Sequence, residues 1–304
     1  MSAAVVHSPE YECDIGLHVF PTEKFALVRR SLVQSGVVDD AAIACPVPAP
    51  REDLLLVHTE EYLSDLDHLR WTPRTACSEL PLTAEIVRAY VLAAGGTTLA
   101  GREALARGVG VNLGGGFHHA FAELASGFCY INDLAVAIRV LQRDGGIGRA
   151  AVVDCDLHQG NGTAHLFRHD DRVFTFSIHQ EHLYPVKERS DLDIGLENAT
   201  CDEEFNRRLA EGLERVWAHR PELVLYQAGA DPFEDDQLGS LRLTFAGLET
   251  RDRLVLEGCA ERDIPVVVTL GGGYARRVSD TVRIHTTTCQ IAIRLARDPS
   301  PHPR

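Results

Sequence analysis

The residues best suited to catalysis lie in short polar segments, and the most informative of these reads Asp154-Cys-Asp-Leu-His158. In an extended chain the side chains at positions i, i+2 and i+4 lie on one face, so Asp154, Asp156 and His158 point the same way. Carboxylate and imidazole groups suit a borderline metal such as zinc, and a catalytic zinc keeps an open position beside three protein ligands. The segment therefore predicts a metal site, although an aspartate-rich loop that caps the next helix has the same pattern.

A third metal ligand has to come from another part of the chain. Asp231 follows the apolar run Leu223–Gln227 and precedes Pro232. An aspartate before a proline is more often a turn former. Its place after an apolar run nevertheless makes Asp231 the best candidate for the third ligand.

Two further segments combine three glycines with a residue that can accept or donate a proton. Gly114-Gly-Gly116 stands shortly before the pair His118-His119, and Gly271-Gly-Gly273 stands directly before Tyr274. Two imidazoles beside an activated water can serve as general base and general acid, and a tyrosine can stabilise an oxyanion. Without the metal site, exposed residues on flexible loops would be the preferred interpretation of both segments.

Several familiar catalytic patterns do not occur in the sequence. No GxGxxG follows an apolar run, no GxxxxGK[ST] is present, and His179-Gln-Glu-His182 lacks the HExxH order of metalloproteases. The 8 cysteines include no CxxC pair, which argues against a zinc knuckle or a dithiol redox site. Dinucleotide binding and phosphate-loop chemistry are therefore not predicted.

The elements that must position these segments alternate between short apolar runs and helical patterns. Near-continuous apolarity is typical of strands buried on both faces of a parallel sheet, and the alternation predicts an α/β fold. Ligands bind at the carboxyl ends of such strands, which is where the polar segments begin. The predicted strands are Ala4–Val6, Gly110–Leu113, Ala150–Asp154, Val173–Ile178, Leu223–Gln227 and Pro265–Leu270. The predicted helices are Thr22–Ser35, Thr83–Arg107, Asn132–Asp144, Cys201–His219, Thr244–Glu261 and Val278–Ala296.

Composition limits the classes of function that remain. The chain has 304 residues and a formal net charge of −14, and no linker divides it. We expect a single domain over residues 1–304 with a frayed tail at 298–304. The acidic charge argues against direct nucleic-acid binding and is compatible with a cationic partner. Neither a signal peptide nor a membrane span is recognisable and the cysteines are scattered, so we expect a cytoplasmic protein.

Taken together, six segments resemble the zinc-dependent histone deacetylase family in their order and spacing. They are GGGFHHAF (114–121), GFCYIND (127–133), VVDCDLHQGNGT (152–163), FSIH (176–179), AGADPFEDDQLG (228–239) and GGGY (271–274). The resemblance covers nearly the whole chain and implies the arginase/deacetylase fold, a three-layer domain around a central, mostly parallel sheet. Residues 160–162, 182–185 and 236–241 resemble class IV members, and the Ala/Arg/Gly-rich composition suggests a bacterial source.

The resemblance also implies the metal ions and their ligands. Asp156, His158 and Asp231 match the zinc ligands of the family, and iron(II) is an alternative because aspartate and histidine bind it too. A structural potassium ion is implied as well. Its ligands would be Asp154, main-chain oxygens around Asp156 and His158, Ser177 and Ile178.

The same resemblance assigns catalytic roles. His119 would be the general base that activates water and would later protonate the leaving amine, with His118 sharing that role. Tyr274 would polarise the scissile carbonyl and stabilise the oxyanion. Asp154 would orient His118, and Asn161 would accept a hydrogen bond from His119. Because an amide adds no negative charge, we expect His119 to be less basic than it would be beside a carboxylate.

The implied reaction is removal of an acetyl or longer fatty acyl group from the ε-amine of lysine in proteins or peptides. The acyl-lysine would enter a narrow apolar tunnel that excludes water. The tunnel residues would be Gly127, Phe128, Tyr184 and Leu238.

Three alternatives remain at this point. An acetylpolyamine amidohydrolase would share every catalytic residue and take an acylated small amine, but Leu238 stands where such relatives tend to place an acid. A non-catalytic acyl-lysine-binding member usually lacks a ligand or the tyrosine, and this chain has all of them. An arginase-like binuclear hydrolase needs more metal-binding carboxylates than these motifs supply. The sequence does not indicate an oligomeric state.

Overall fold

The computed structural model describes residues 5–296, so Ala4 and the tail at 298–304 lie outside the described residues. Within this part, seven strands and ten α-helices alternate along most of the chain. The strands are β1 (Val5–Val6), β2 (Val109–Asn112), β3 (Ala150–Asp154), β4 (Val173–Gln180), β5 (Leu192–Leu196), β6 (Leu223–Gln227) and β7 (Val266–Thr269). The helices are α1 (Lys24–Gln34), α2 (Arg51–Leu54), α3 (Glu60–Asp67), α4 (Pro73–Ala76), α5 (Ala84–Arg107), α6 (Asp133–Arg143), α7 (Asn161–Phe167), α8 (Asp202–Ala218), α9 (Phe245–Glu261) and α10 (Val278–Leu295).

All seven strands belong to one parallel sheet. Their order is β1-β2-β7-β6-β3-β4-β5, and every neighbouring pair runs in the same direction. This confirms the predicted α/β class, and each of the six predicted long helices is present with ends shifted by two residues at most. Because the strands are parallel, their carboxyl ends meet at one edge of the sheet, and the polar segments meet there too.

The sheet is the middle layer of three. Alternate residues of a strand face opposite sides, and Ala151 and Val153 of β3 pack into one apolar cluster while Ala150 and Val152 pack into the other. The first cluster includes residues of α8, α9 and α10, and the second includes residues of α5 and α6. Burial on both faces explains why the central strands are apolar throughout.

Strand β5 and the short helices α2, α3, α4 and α7 were not predicted. β5 is an edge strand that pairs only with β4, and it has exposed residues such as Asp193 and Gly195 between buried ones. Its alternating pattern differs from the continuous apolar runs of the central strands. None of the helices within residues 5–296 is both long and apolar enough to cross a membrane.

His58 is a buried link between two segments of the core. Its Nδ1 lies 3.0 Å from the carbonyl oxygen of Phe121, to which it can donate, and its Nε2 accepts a hydrogen bond of 3.2 Å from the backbone N–H of Asn132. Burial lowers the pKa of His58 to about 4. The folded protein therefore keeps this imidazole neutral in a pH range where the unfolded chain protonates it.

This pKa predicts acid sensitivity of the fold. Because the unfolded chain binds a proton below pH ~6.5 and folded His58 does not, the free energy of unfolding falls as the pH falls, by about 2 kcal/mol between pH 7 and pH 5. His58→Gln keeps a neutral donor and acceptor. In urea unfolding experiments, the free energy of unfolding of this variant should therefore differ less between pH 7 and pH 5 than that of the wild type, by about 2 kcal/mol. The control His68→Gln changes an exposed histidine and should keep the wild-type difference. An unchanged difference in His58→Gln would show that another group is responsible.

Candidate active site

Two strands bring the predicted metal ligands together. Asp156 and His158 follow β3, and Asp231 follows β6, the neighbour of β3 in the sheet. All three side chains are buried, and one ligand atom of each lies within 4.8 Å of the others. Residues up to 75 positions apart in the sequence thus form one compact donor set.

The hydrogen bonds of these carboxylates leave one oxygen free. Oδ2 of Asp156 accepts bonds of 2.9 Å from Nε2 of Gln227 and from the backbone N–H of Gly272. Oδ1 of Asp231 accepts a bond of 3.0 Å from the backbone N–H of Leu157. Oδ2 of Asp231 is buried and has no hydrogen-bond partner among the described residues, although Nδ1 of His158 lies 3.3 Å away. A buried carboxylate oxygen without a donor is suited to binding a cation.

The pKa shifts at these residues also indicate that a positive charge between the two carboxylates is favourable. Burial raises the pKa of Asp231 to about 6, and the negative charge of Asp156 adds to the shift. Burial alone would lower the pKa of His158, but the neighbouring carboxylates of Asp156 and Asp231 outweigh this effect and raise the pKa to about 10. Two buried carboxylates beside one imidazole, with a free oxygen, fit a zinc or iron(II) ion.

The tandem histidines lie beside this donor set and have different partners. Nδ1 of His118 lies 2.6 Å from Oδ2 of Asp154, and Nδ1 of His119 lies 2.7 Å from Oδ1 of Asn161. The two Nε2 atoms are 3.1 Å apart, and Nε2 of His118 is 3.8 Å from Oδ1 of Asp156. One histidine therefore faces a carboxylate and the other an amide.

This difference sets the protonation states of the two rings. Burial by itself would lower the pKa of His118, but Asp154 and Asp156 reverse the shift and raise the pKa to about 9. Burial lowers the pKa of His119 well below its usual value, the charges of His118 and His158 lower it further, and Asn161 offsets this only in part. The pair thus combines a charged ring with a neutral ring.

Tyr274 lines the same cavity as the tandem histidines. It is buried after the glycine loop that follows β7, and its ring lies 6.2 Å from that of Phe20 and 6.0 Å from that of Phe128. A narrow cavity connects these groups. Its lining comprises Phe20, residues 116–119, residues 127–129, Asp156, His158, Gly271, Gly272 and Tyr274.

The four predicted tunnel residues occupy different places. Gly127 and Phe128 line the cavity. Tyr184 lies at its side, where the ring is 5.3 Å from that of His119 and the hydroxyl is 2.8 Å from Oγ of Ser126. Leu238 packs against the core and is not part of the cavity lining.

The predicted potassium ligands also lie close together. Asp154 at the end of β3 is in register with Ser177 on β4, and Ile178 follows it. Asp156 and His158 continue from the same end of β3. Oγ of Ser177 lies 2.9 Å from Nδ1 of His179.

The sequence matches the histone deacetylase domain over residues 18–289, which is most of the chain. It is 32% identical to Histone deacetylase 2 of Arabidopsis thaliana over 299 residues, which is 92% of this chain and 77% of that protein. The chain belongs to the histone deacetylase family. A further family relative is an uncharacterised protein of Picosynechococcus, 40% identical over 302 residues, or 98% of this chain and 99% of that one.

Solved structures confirm the arginase/deacetylase fold of this histone deacetylase family member. The crystal structure of an HDAC homologue complexed with SAHA superposes with a TM-score of 0.83 at 27% identity, covering 100% of this chain and 87% of that one. The HDAC homologue from Aquifex aeolicus gives a TM-score of 0.80 at 26% identity, covering 99% and 86%. Membership in the histone deacetylase family makes the chain a hydrolase of amide bonds.

Two residues of the site were missed by the sequence reasoning. Gln227 is the last residue of β6, and its side chain donates a hydrogen bond to Asp156. A polar residue at the end of an apolar run was the signal in the sequence that could have identified it. Lys24 on α1 is fully buried, and its Nζ donates a hydrogen bond of 2.6 Å to the carbonyl oxygen of Gly271. Nothing in the local sequence distinguishes Lys24 from a surface lysine at the start of a helix.

Proposed function

We propose that this chain is a zinc-dependent amidohydrolase that removes an acyl group from the ε-amine of lysine in proteins or peptides. The observation that carries the proposal is the convergence of three elements on one narrow cavity. These elements are the metal donor set Asp156, His158 and Asp231, of which Asp156 and His158 line the cavity, the neutral imidazole of His119, and Tyr274. Together they provide the groups that amide hydrolysis needs: a Lewis acid, a base and an oxyanion donor.

In this proposal zinc is held by Asp156, His158 and Asp231. Bound there, it polarises the amide carbonyl and lowers the pKa of water toward about 7. Iron(II) would suit the same ligands. A structural potassium ion would be held at the carboxyl ends of β3 and β4. Its proposed ligands are Asp154, main-chain oxygens around Asp156 and His158, Ser177 and Ile178.

The tandem histidines transfer the proton from the attacking water to the leaving amine. The hydrogen bond from Nδ1 of His119 to Asn161 leaves Nε2 unprotonated, so this atom can accept a proton from the attacking water. The same nitrogen can then return the proton to the leaving ε-amine. His118, held by Asp154, provides a positive charge beside the reacting carbonyl and shares the proton transfer.

Tyr274 stabilises the charge that develops on the carbonyl oxygen. Burial raises the pKa of its phenol well above the usual value, and the charges of Asp231 and Asp156 raise it further, so the hydroxyl stays protonated as a donor. Phe20 and Phe128 shield the site, and the exclusion of water strengthens each polar interaction inside it.

The second candidate, hydrolysis of acetylpolyamines, has less support. Such a substrate carries a free ammonium that needs an accessible acid near the tunnel mouth. Asp236 is buried and accepts hydrogen bonds from two backbone N–H groups, and Oδ1 of Asp235 lies 3.4 Å from Nε of Arg276. Asp235 and Asp236 thus already have partners, which favours acyl-lysine.

Turnover of matched substrates tests the proposal. With zinc-loaded protein, we expect kcat/KM for an acetyl-lysine peptide to exceed that for acetylputrescine by about tenfold or more, since Asp235 and Asp236 are already engaged by other groups. Octanoyl- and myristoyl-lysine peptides in the same assay would rank the acyl groups. Faster turnover of acetylputrescine would favour the polyamine function, and no turnover of any substrate would contradict an enzymatic role. Chelator-treated protein serves as the control.

A further inference from the structure

The tyrosine of the site follows a segment that has little stiffness of its own. Three consecutive glycines precede Tyr274, and two of them have positive φ values, +58° at Gly271 and +143° at Gly273. Glycine has the largest conformational freedom in the backbone. The position of the Tyr274 hydroxyl therefore depends on contacts from outside the glycine loop.

The hydrogen bonds to the backbone of Tyr274 itself come from the loop that begins at Asp231. Oδ2 of Asp236 accepts a hydrogen bond of 2.7 Å from the backbone N–H of Tyr274, and Nε2 of Gln237 donates a bond of 2.8 Å to its carbonyl oxygen. Oδ1 of Asp236 accepts a bond of 2.9 Å from the N–H of Leu238, which fixes the orientation of the carboxylate. Both backbone groups of Tyr274 are thus held by two neighbouring side chains, which we call the tyrosine clamp.

The backbone around the clamp supports the same geometry. Asp236 and Ala275 form an isolated antiparallel bridge, and the N–H of Arg276 donates a bond of 3.2 Å to the carbonyl oxygen of Asp235. Asp236 is only five residues after Asp231. One short loop therefore supplies both a metal donor and the support for the tyrosine.

We propose that Asp236, with Gln237, is a positioning residue that holds Tyr274 at the distance from the metal donors at which its hydroxyl meets the developing oxyanion. The inference rests on the role proposed above for Tyr274. Asp236 acts through the backbone of Tyr274 and does not contact the substrate. Hydrolysis depends on this support because a displacement of about 1 Å in a reacting group can reduce the rate by about 100-fold.

Asp236→Asn tests the clamp. The amide offers one acceptor oxygen in place of two, so either Tyr274 or Leu238 loses its partner. We expect kcat to fall by about 10- to 100-fold with KM changed less than about twofold, because the loss is confined to the transition state. Zinc content should stay at the wild-type level. Gln237→Leu removes the side-chain hydrogen bond to the carbonyl oxygen of Tyr274 at an exposed position and should reduce kcat by about 3- to 10-fold. This variant tests the clamp even if Asp236→Asn does not fold.

A double-mutant cycle separates positioning from general stability. In a Tyr274→Phe background, Asp236→Asn should reduce kcat by less than about twofold, because the hydroxyl that it positions is gone. The control Asp235→Asn changes the adjacent, partly exposed acid and should keep wild-type kcat. An equal reduction in both backgrounds, or unchanged kcat in Asp236→Asn, would overturn the proposal.

Amide hydrogen exchange tests the clamp without relying on activity. The N–H of Tyr274 should exchange slowly in the wild-type protein and faster in Asp236→Asn, with Asp235→Asn like the wild type. Equal rates in wild type and Asp236→Asn would overturn the clamp even if the enzyme is active. If the wild-type protein hydrolyses no acyl-lysine while these exchange rates differ, the proposed function fails and the clamp stands.

Discussion

Asp231→Ala should give a folded protein that binds no zinc and hydrolyses no acyl-lysine. The substitution removes the oxygen that has no hydrogen-bond donor and leaves only Asp156 and His158 as donors. Two ligands are too few for a catalytic zinc site. Elemental analysis of purified protein after zinc loading measures the effect directly, and kcat/KM should fall to the level of chelator-treated wild type.

The stability of the metal-free protein gives a second readout. Because burial raises the pKa of Asp231 to about 6, its carboxylate is unfavourable at neutral pH without a cation. Metal-free Asp231→Asn should therefore be at least as stable as metal-free wild type. Zinc should raise the melting temperature of the wild type and not that of Asp231→Asn. Glu234→Ala, an exposed acid in the same loop, is the matched control and should bind zinc normally. Full zinc occupancy in Asp231→Ala would exclude the ligand assignment.

Tyr274→Phe should keep zinc and lose most turnover. The phenol is a buried donor in the cavity that the tandem histidines also line, and removing one oxyanion donor reduces kcat by about 10²- to 10³-fold. The phenyl ring keeps its contacts with Phe20 and Phe128, so the cavity and KM should change little. Steady-state kinetics together with zinc analysis of the same preparation measure both quantities.

A second tyrosine provides the comparison for Tyr274→Phe. The hydroxyl of Tyr62 donates a hydrogen bond of 2.7 Å to the carbonyl oxygen of Tyr130, away from the cavity lining. Tyr62→Phe should reduce the free energy of unfolding by about 1 kcal/mol and leave kcat unchanged. If Tyr274→Phe also leaves kcat unchanged, Tyr274 has a structural role only.

Much of the site was predictable because its chemistry is concentrated at the ends of strands. Asp154, Asp156 and His158 follow the continuous apolar run of β3, and the period of an extended chain indicated a shared face. The central strands were predicted well for the same reason, since burial on both faces requires apolar residues throughout. Alternation with helices then placed the ends of all strands at one edge.

The residue roles that the sequence did not indicate depend on contacts between segments distant in sequence. Lys24 reaches Gly271, 247 positions away, and no local pattern indicates such a contact. Asp236 was given no role of its own from the sequence, but the structure buries it against the backbone of Tyr274. Leu238 does not line the cavity because its loop turns toward the core after Asp236. Tertiary packing decided each of these outcomes.

The strand order has a consequence for the biosynthesis of the protein. β7 lies between β2 and β6, yet it is the last strand to be made within residues 5–296. Until Val266–Thr269 have left the ribosome, β2 and β6 each present an unpaired edge, and such edges invite intermolecular pairing. Nascent chains and fragments that end before β7 should therefore be prone to aggregation. The glycine loop and Tyr274 follow β7 in the chain, so the active site cannot be complete before this central strand has been made.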